Sequence, residues 1–394
     1  MSMKVDIWHN ITWSRYKAGV FNELHRQTKD GPSSFRIFQI AETESGRNEL
    51  APVDYSKHRY PFRLVFEGPY ESVPLWRMSC RLAGLVSTTD ADMVVLAGYH
   101  RPEYWLQLLI GRLRGVKMGV FCDSTGRDKS KSRLRGLLKR LFFANVQAAF
   151  CYGSRSRAYL MEHGVSPSKV FIRCQAAELP PEYSAAAAIE ARVNRAGPSQ
   201  GRFLYVGRLA KEKSLDTLVE AFAKHRRTHP EAALSLVGAG PELEPLRRLC
   251  ERLGLGDAVH LPGARNGEAL VETYREAACL VLPSLSEPWG LVVNEAFSHG
   301  CPAIVSDNCG CGPELIDAGR TGFVFKTGDV EDLAGYLDKA GEAFGDVRAT
   351  AERCVTLIAD YTPERAAEKI IAGCEATLRP RGLTPATEPA PLPR

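Results

Sequence analysis

The sequence predicts an α/β protein of two domains, each a parallel sheet doubly wound with helices. Three observations carry that expectation. Short β-branched or aliphatic runs alternate with helix-period segments, the alternation stops between Gln175 and Gly201, and it then restarts. At 394 residues the chain is long enough for two or three domains of roughly 150 residues each.

The first domain is expected over residues 1–180. Its strands are VDIW near residue 5, FRIFQI from Phe35, MVVLAG from Met93, KMGVF from Lys117, AAFCYG from Ala148 and KVFIR from Lys169. Ala, Pro, Ser and Gly dominate from Gln175 to Gly201 without an apolar period, which reads as a linker over 181–201. The second domain, 202–361, opens on strand FLYV from Phe203. It continues with a helix from about Ser214 to His225, strand LSLV from Leu234, a helix between Pro241 and Gly254, and strands AVHL from Ala258 and LVLPS from Leu280. Thr362, Pro363 and Glu364 supply an N-cap, a first-turn proline and an acid favoured by the helix dipole, so a last helix is expected over 362–379. Five prolines within residues 380–394 mark a disordered tail.

With 44% apolar and 25% charged residues, the composition is globular, and a net charge of +5 is too mild for bulk nucleic-acid binding. Eleven cysteines without regular spacing argue against a disulfide framework and for a reducing compartment. The start, MSMKVDIWHN, reads as a first strand because Asp6 interrupts its apolar run. No window approaches the roughly 20 apolar residues of a membrane span. The expected location is the cytosol, with any membrane contact peripheral.

Several motifs imitate sites. Gly238-Ala239-Gly240 follows a strand, but Leu243 stands where a dinucleotide fingerprint needs its third glycine. The stretch 207–214 (GRLAKEKS) resembles a phosphate loop, with Glu212 in place of the required glycine. His225 and His229 have zinc-pair spacing, yet no glutamate follows the first, so they read as surface cations at a helix end. Cys309 and Cys311 lack a second ligand pair and read as a tight loop. Asp90-Ala91-Asp92 precedes a strand, at the amino end of a sheet whose ligands belong at the carboxyl end. No metal and no cofactor are expected.

The informative block is 280–306 (LVLPSLSEPWGLVVNEAFSHGCPAIVS): strand, loop, helix and strand. Its helix begins near Gly290, so the backbone N–H groups of Gly290, Leu291 and Val292 suit a phosphate or diphosphate. Glu287 lies in the loop and Glu295 on the helix, about 7 Å further along the axis than Gly290 at about 1.5 Å per residue. Two carboxylates so placed reach opposite ends of one elongated ligand, although the spacing equally fits a surface loop Glu and a helix-face Glu.

Glu287-x7-Glu295, LVLPSLSEPWG, VGRLAKEKSLDTLVEAF from Val206, LVGAGPELEPLR from Leu236 and GCGPELI from Gly310 together resemble the retaining family 4 glycosyltransferases of GT-B fold. The resemblance covers nearly all of the second domain, in order. It implies a nucleotide-sugar donor on the second domain and a sugar or lipid-linked acceptor entering from the first. On matching positions, Glu287 would meet the donor sugar, Glu295 the ribose, and Arg208 and Lys213 the diphosphate. Leaving-group charge would then be met by two cations and helix amides without a metal. The first domain departs from the family pattern. The family's glycine pair after the first strand is matched only by Ala18-Gly19, with Gly19 as a donor-side candidate, and its histidine is replaced by Cys122-Asp123, leaving Asp123 as a sugar-contacting candidate. The implied role is assembly of a cell-surface glycan or glycolipid. An epimerase or phosphorylase of the same fold, or a non-catalytic nucleotide-sugar-binding protein, stays open.

From Arg127 to Arg140 the chain holds seven Lys or Arg and one Asp. Leu134, Leu137, Leu138 and Leu141 follow helical spacing, while Lys131, Arg135 and Lys139 stripe another face. The segment 127–143 therefore reads either as a solvated helix packed by its leucines or as a contact for anionic membrane or a phosphate-bearing acceptor.

Overall fold

The computed structural model describes residues 2–45, 52–126, 133–180, 182–195 and 201–379. The first unit runs β1 (Lys4–Ile11), α1 (Arg15–Thr28), β2 (Ser34–Ala41), β3 (Phe62–Leu64), α2 (Leu75–Ser87), β4 (Met93–Leu96), α3 (Pro102–Leu113), β5 (Lys117–Phe121), α4 (Arg133–Ala144), β6 (Ala148–Phe150), α5 (Ser154–Glu162) and β7 (Val170–Phe171). The second follows as α6 (Ala185–Arg195), β8 (Arg202–Val206), α7 (Leu215–Arg226), β9 (Ala233–Val237), α8 (Leu243–Arg252), β10 (Val259–Gly263), α9 (Glu268–Glu276), β11 (Cys279–Leu282), α10 (Leu291–Ser298), β12 (Ala303–Ser306), α11 (Gly312–Leu315), β13 (Gly322–Phe325), α12 (Val330–Ala343) and α13 (Val347–Ile358). The helix α14 (Pro363–Leu378) comes last.

All pairings between these strands are parallel, in a seven-stranded sheet ordered β3-β2-β1-β4-β5-β6-β7 and a six-stranded sheet ordered β10-β9-β8-β11-β12-β13. A parallel sheet covered on both faces needs strands that are apolar throughout, and MVVL of β4, CLVL of β11 and AIVS of β12 are buried at every position. The alternation of side chains assigns them to two layers. Val94 and Leu96 join Met78, Leu108 and Phe142 on the side of α2–α4, whereas Met93 and Val95 join Phe21 and Leu24 of α1. Each strand order reverses beside its unit's first strand, so a crevice opens beyond the carboxyl ends between β1 and β4 and between β8 and β11.

The stretch expected as a plain linker contains α6. Its alanines favour helix, and Arg192, 3% exposed, reaches from it to the carbonyls of Tyr274, Arg275 and Ala278 where α9 ends. Capping by a distant arginine leaves no apolar period to read. Thr362 caps α14 by accepting from the Arg365 N–H, and Ala366, Ala367, Ile370 and Cys374 carry the helix back into the core of the first unit. The expected tail, 380–394, lies outside the described residues.

His225 corrects another expectation. It is not a surface cation, being 4% exposed, and burial lowers its pKa despite a hydrogen bond to Asp338. Asp90 and Asp92 do sit at the amino edge of the first sheet. Asp90 pairs with Lys4 and Arg36 at 2.7 Å each, while Asp92 accepts the Lys4 N–H at 2.8 Å. Among the described residues, no helix is long and apolar enough to cross a membrane.

Candidate active site

The loops at the β8–β11 crevice are held by backbone contact. A Cβ on Gly238 would stand 1.8 Å from the Gly207 carbonyl oxygen, and one on Gly240 would stand 2.4 Å from that of Leu209. Both glycines have positive φ, +153° and +154°. Gly238-Ala239-Gly240 therefore serves close approach of two loops, which the Leu209 N–H to Ala239 carbonyl bond of 2.9 Å locks together. Gly310 does the same on the other side, where a Cβ would meet the Pro288 carbonyl oxygen at 1.8 Å.

This clamped loop carries Arg208 and Lys213. Lys213 ends a short 3-10 turn, and Ser214, at φ +49°, swings the chain into α7. Lys213 Nζ lies 2.6 Å from Glu287 Oε2, with both side chains 15% exposed. Arg208 pairs instead with Glu212 at 2.5 Å and is 53% exposed. Each proposed phosphate cation thus has an acidic partner, and only Lys213 shares its partner with the β11–α10 loop.

Gly290, at φ +102°, starts α10, and the Val293 N–H closes onto its carbonyl at 2.9 Å. The N–H groups of Leu291 and Val292 precede the helix's own ladder, as the first turn of any helix requires. Glu295, one turn on, accepts the Tyr274 hydroxyl at 2.7 Å. Burial pushes its pKa up to about 7, against the lowering effect of that hydrogen bond. It lines a cavity of about 430 Å³ together with Asn266, Leu270, Tyr274 and Leu291 from the second unit and Tyr16 and Glu178 from the first. His299 lies in the same wall, its pKa lowered to about 4 by burial and by Arg275.

The first-unit candidates are placed differently. Gly19 lies in α1, where a Cβ would touch Pro363 of α14 at 3.5 Å. It lines a separate cavity of about 260 Å³, whose wall shares Arg15, Lys57 and Glu178 with the larger one. Asp123 is exposed just beyond β5, and its carbonyl accepts the Ser156 hydroxyl at 3.3 Å. Asp123 and Glu287 both act on buried Tyr152, whose pKa is raised first by burial and then by Tyr16 and these two carboxylates.

Other residues at the seam between the units had no expected role. Tyr152 stacks on Trp289 at 5.5 Å, and Trp289 in turn stacks on Tyr361 at 5.7 Å. Arg155 donates to the carbonyls of Asp307 and Cys309 at 2.8 and 2.7 Å, and the Ser154 N–H donates to Glu314. Glu314 belongs to GCGPELI, so the motif was visible while its partner on α5 was not. Lys17 is 4% exposed with Nζ 3.9 Å from the Phe121 ring centroid. Burial lowers its pKa to about 7, and Asp123 is among the charges opposing that fall. Cys309 and Cys311 are fully buried with free thiols, Cys309 pushed up to about 12 by burial.

The family model for glycosyl transferases group 1 matches residues 189–346. The D-inositol 3-phosphate glycosyltransferase of Nocardia farcinica is 32% identical over 372 residues, covering 85% of this chain and 80% of that protein. The sulfoquinovosyl transferase SQD2 of Arabidopsis thaliana is 38% identical over 149 residues, 37% of this chain and 28% of its own length. The glycogen synthase of Mycobacterium tuberculosis is 34% identical over 167 residues, 41% of this chain and 40% of its own length. The chain thus spans well under half the length of these last two relatives. Among solved structures, Anabaena Alr3699/HepE in complex with UDP and glucose superposes with a TM-score of 0.69 at 15% identity, covering 95% of this chain and all of that one. The sucrose-phosphate synthase of Thermosynechococcus elongatus gives 0.69 at 20% identity over 94% of this chain and 98% of that one. These likenesses establish the GT-B fold for the two sheets described above. With the group 1 pattern on its second unit and a relative matched along four-fifths of that relative's length, the chain belongs to the group 1 glycosyl transferases.

Proposed function

We propose that the chain transfers a sugar, with retention of configuration, from a nucleotide-sugar donor held by the second unit to an acceptor presented by the first. The observation that carries this reading is the Lys213–Glu287 pair of 2.6 Å on a clamped loop beside the first turn of α10, with Glu295 in the cavity one turn further on. The donor diphosphate would lie at the Gly290–Val292 amides with Lys213 and Arg208, the ribose at Glu295 and the sugar at Glu287. The bond from the anomeric carbon to the diphosphate breaks as the acceptor oxygen bonds to the same face. The acceptor proton passes to the departing diphosphate, which leaves as nucleoside diphosphate. Fixed cations and amides stabilise its growing charge, so the step calls for no metal or cofactor. The test is thermal stabilisation by UDP-, GDP-, ADP- and TDP-sugars, followed by nucleoside diphosphate release with and without acceptors. A ligand at 100 times its Kd adds about 2.7 kcal/mol of stability. Turnover with no acceptor or with phosphate alone would favour the epimerase or phosphorylase reading, and binding without turnover across an acceptor panel the non-catalytic one.

The acceptor side of the proposal includes a membrane. Leu134, Leu137, Leu138 and Leu141 of α4 are 68, 64, 46 and 55% exposed, while Phe142 and Phe143 face the core. The leucines therefore do not pack inward, contrary to the reading of a solvated helix held by its leucines. Trp105 of α3 meets Phe142 edge-on at 5.2 Å, and exposed Leu109 and Leu113 extend the apolar area along α3. Arg135 and Arg140 are exposed on α4, and Lys139 Nζ stands 5.2 Å from the Tyr159 ring centroid. Residues 127–132, with Lys131, lie outside the described residues. Leucines bordered by cations match an anionic lipid surface, which takes up both. The proposed location is therefore the cytoplasmic membrane face, with a lipid-linked acceptor.

A further inference from the structure

The cavity that holds Glu295 keeps a second polar side chain to which the proposed transfer gives no task. His299 follows Glu295 by four residues, where α10 ends, so the two share one helix face, and both line the cavity of about 430 Å³. His299 is 7% exposed. Its ring lies over that of Tyr274, with centroids 6.0 Å apart and planes 17° from parallel, and it meets Tyr183 edge-on at 6.5 Å. Tyr183 is itself fixed, donating its hydroxyl to the Ser298 carbonyl at 2.9 Å. The imidazole is thus held between two phenols. Its Nδ1 is sealed in the protein without a hydrogen-bond partner, and Nε2, equally unbonded among the described residues, is the nitrogen left for the cavity.

A phenyl ring would pack between two tyrosines as well and would bury no unpartnered nitrogen, so packing alone does not explain a histidine here. A phosphate does not explain it either. Burial and Arg275 lower its pKa to about 4, so the imidazole is neutral near pH 7 and offers no charge to a diphosphate. What a neutral imidazole nitrogen offers is one hydrogen bond, donated or accepted, and a hydroxyl group can meet either. Glu295 is short of that capacity. Its Oε2 accepts the Tyr274 hydroxyl at 2.7 Å, which leaves Oε1 as the oxygen without a partner among the described residues. A ribose presents two adjacent hydroxyls, and one free carboxylate oxygen serves one of them.

Given Glu295 as the ribose contact, the reading on which this inference rests, we propose that His299 is a second one: Glu295 Oε1 takes one hydroxyl of the donor's ribose and the His299 imidazole takes the other. Tyr274 fixes both groups, since its hydroxyl holds the carboxylate and its ring flanks the imidazole. The pair makes the cavity selective for ribonucleotide over deoxyribonucleotide donors, because a missing hydroxyl strands a polar group inside the protein. TDP-sugars built on deoxyribose are then poor donors.

The test is calorimetric binding by the full chain of UDP, GDP and ADP, then of the 2′-deoxy and 3′-deoxy forms of whichever binds most tightly. Wild type should bind each deoxy form at least about tenfold more weakly than its parent. His299→Phe keeps a ring between the tyrosines and removes the nitrogens. It should weaken the parent by about tenfold, abolish discrimination against one deoxy form and leave discrimination against the other, which Glu295→Ala should abolish instead. His299→Gln restores a hydrogen-bonding group and should recover part of the lost discrimination. Thermal melts check that each variant folds, and His299→Ala repeats the measurement if the phenyl ring disturbs the packing. No binding by any of the three, or a wild type that treats both deoxy forms like the parent, would overturn the ribose reading of Glu295 and this inference with it. Wild-type discrimination that survives in His299→Phe, or a loss equal for the parent and both deoxy forms, would leave Glu295 on the ribose and overturn the role of His299 alone.

Discussion

The carboxyl ends of the two sheets face each other, yet they are built by different rules. On the second unit, glycines bring loop backbones so close that a Cβ at Gly238 or Gly310 would sit 1.8 Å from a carbonyl oxygen. The side chains above them are locked in pairs, Lys213 with Glu287 and Tyr274 with Glu295. On the first unit Asp123 is exposed, and ten of the thirteen large apolar side chains exposed among the described residues belong to this unit. A shared donor chemistry demands a rigid, fixed cradle, whereas an acceptor side can differ from enzyme to enzyme on the same scaffold.

The largest expected effect attacks the clamp. Gly238→Ala places a Cβ against backbone that cannot yield and at a φ of +153°, so it should cost about 3 kcal/mol or more and abolish nucleotide binding. The matching change on the first unit, Gly84→Ala within α2, meets nothing within 4 Å and should be neutral or stabilising by up to about 1 kcal/mol. Urea denaturation of both variants measures the contrast. Equal stabilities would dissolve the distinction between a clamped unit and a permissive one.

Next come the cations. Lys213→Ala should lower turnover by roughly 10²–10³-fold, and Arg208→Ala by less, because the more buried charge acts through the less screened environment. Lys213→Ala also strands Glu287, so a stability loss of about 1–3 kcal/mol should accompany it. Steady-state rates beside thermal melts separate the two effects. A larger loss in the Arg208 variant would reverse the proposed division of labour.

Glu295 supplies a pH test. Its pKa of about 7 means the empty site holds a proton on this carboxyl at lower pH, a stabilising contribution lost as pH rises through about 7. In the proposed site a ribose hydroxyl would donate to the carboxylate, so nucleotide binding should tighten between about pH 5 and 8 and release a proton. Glu295→Gln should flatten that profile and weaken binding by about 1–3 kcal/mol. Calorimetry in buffers of different ionisation enthalpy detects the proton. A flat wild-type profile would remove Glu295 from the ribose.

These tests concentrate where the sequence was most readable. The second sheet and the start of α10 at Gly290 follow from local patterns, apolar runs and a glycine stop, whereas Glu287 and Glu295 stand out only through the family resemblance, because their spacing alone equally fits a surface loop and a helix face. What escaped was set by contact between distant segments. The helix α6 is anchored by Arg192 reaching the end of α9, and Tyr274 becomes Glu295's partner only through the fold. Glu314 meets Ser154 only across the seam. Gly19, the position the resemblance offers for the family's glycine after the first strand, lies within α1, where an added Cβ would make only ordinary contact with Pro363 at 3.5 Å, and it lines the smaller cavity. The leucines of α4 show the limit of periodicity, since a helical stripe of leucines marks one face without saying whether protein or something else covers it.

That uncovered face gives the smallest and most separable effect. Half-exposed leucines contribute to membrane uptake through the apolar area they sink into the interface, and each nearby cation adds about 1 kcal/mol on an anionic surface. Leu137→Ser with Leu141→Ser should therefore weaken sedimentation with phosphatidylglycerol vesicles by about fivefold, with little effect on phosphatidylcholine vesicles, to which binding should be weak from the start. Salt should act on the cationic share alone, since screening shortens from about 10 Å at 0.1 M to about 3 Å at 1 M. Replacing Lys131, Arg135 and Lys139 by Gln should remove the salt dependence while leaving the leucine contribution. Nucleotide binding should be unchanged in every variant, because Lys213 and Glu295 lie on the other unit. Undiminished vesicle binding by both the leucine and the cation variants would mean that α4 does not touch the membrane, and its exposed leucines would then have to meet a protein.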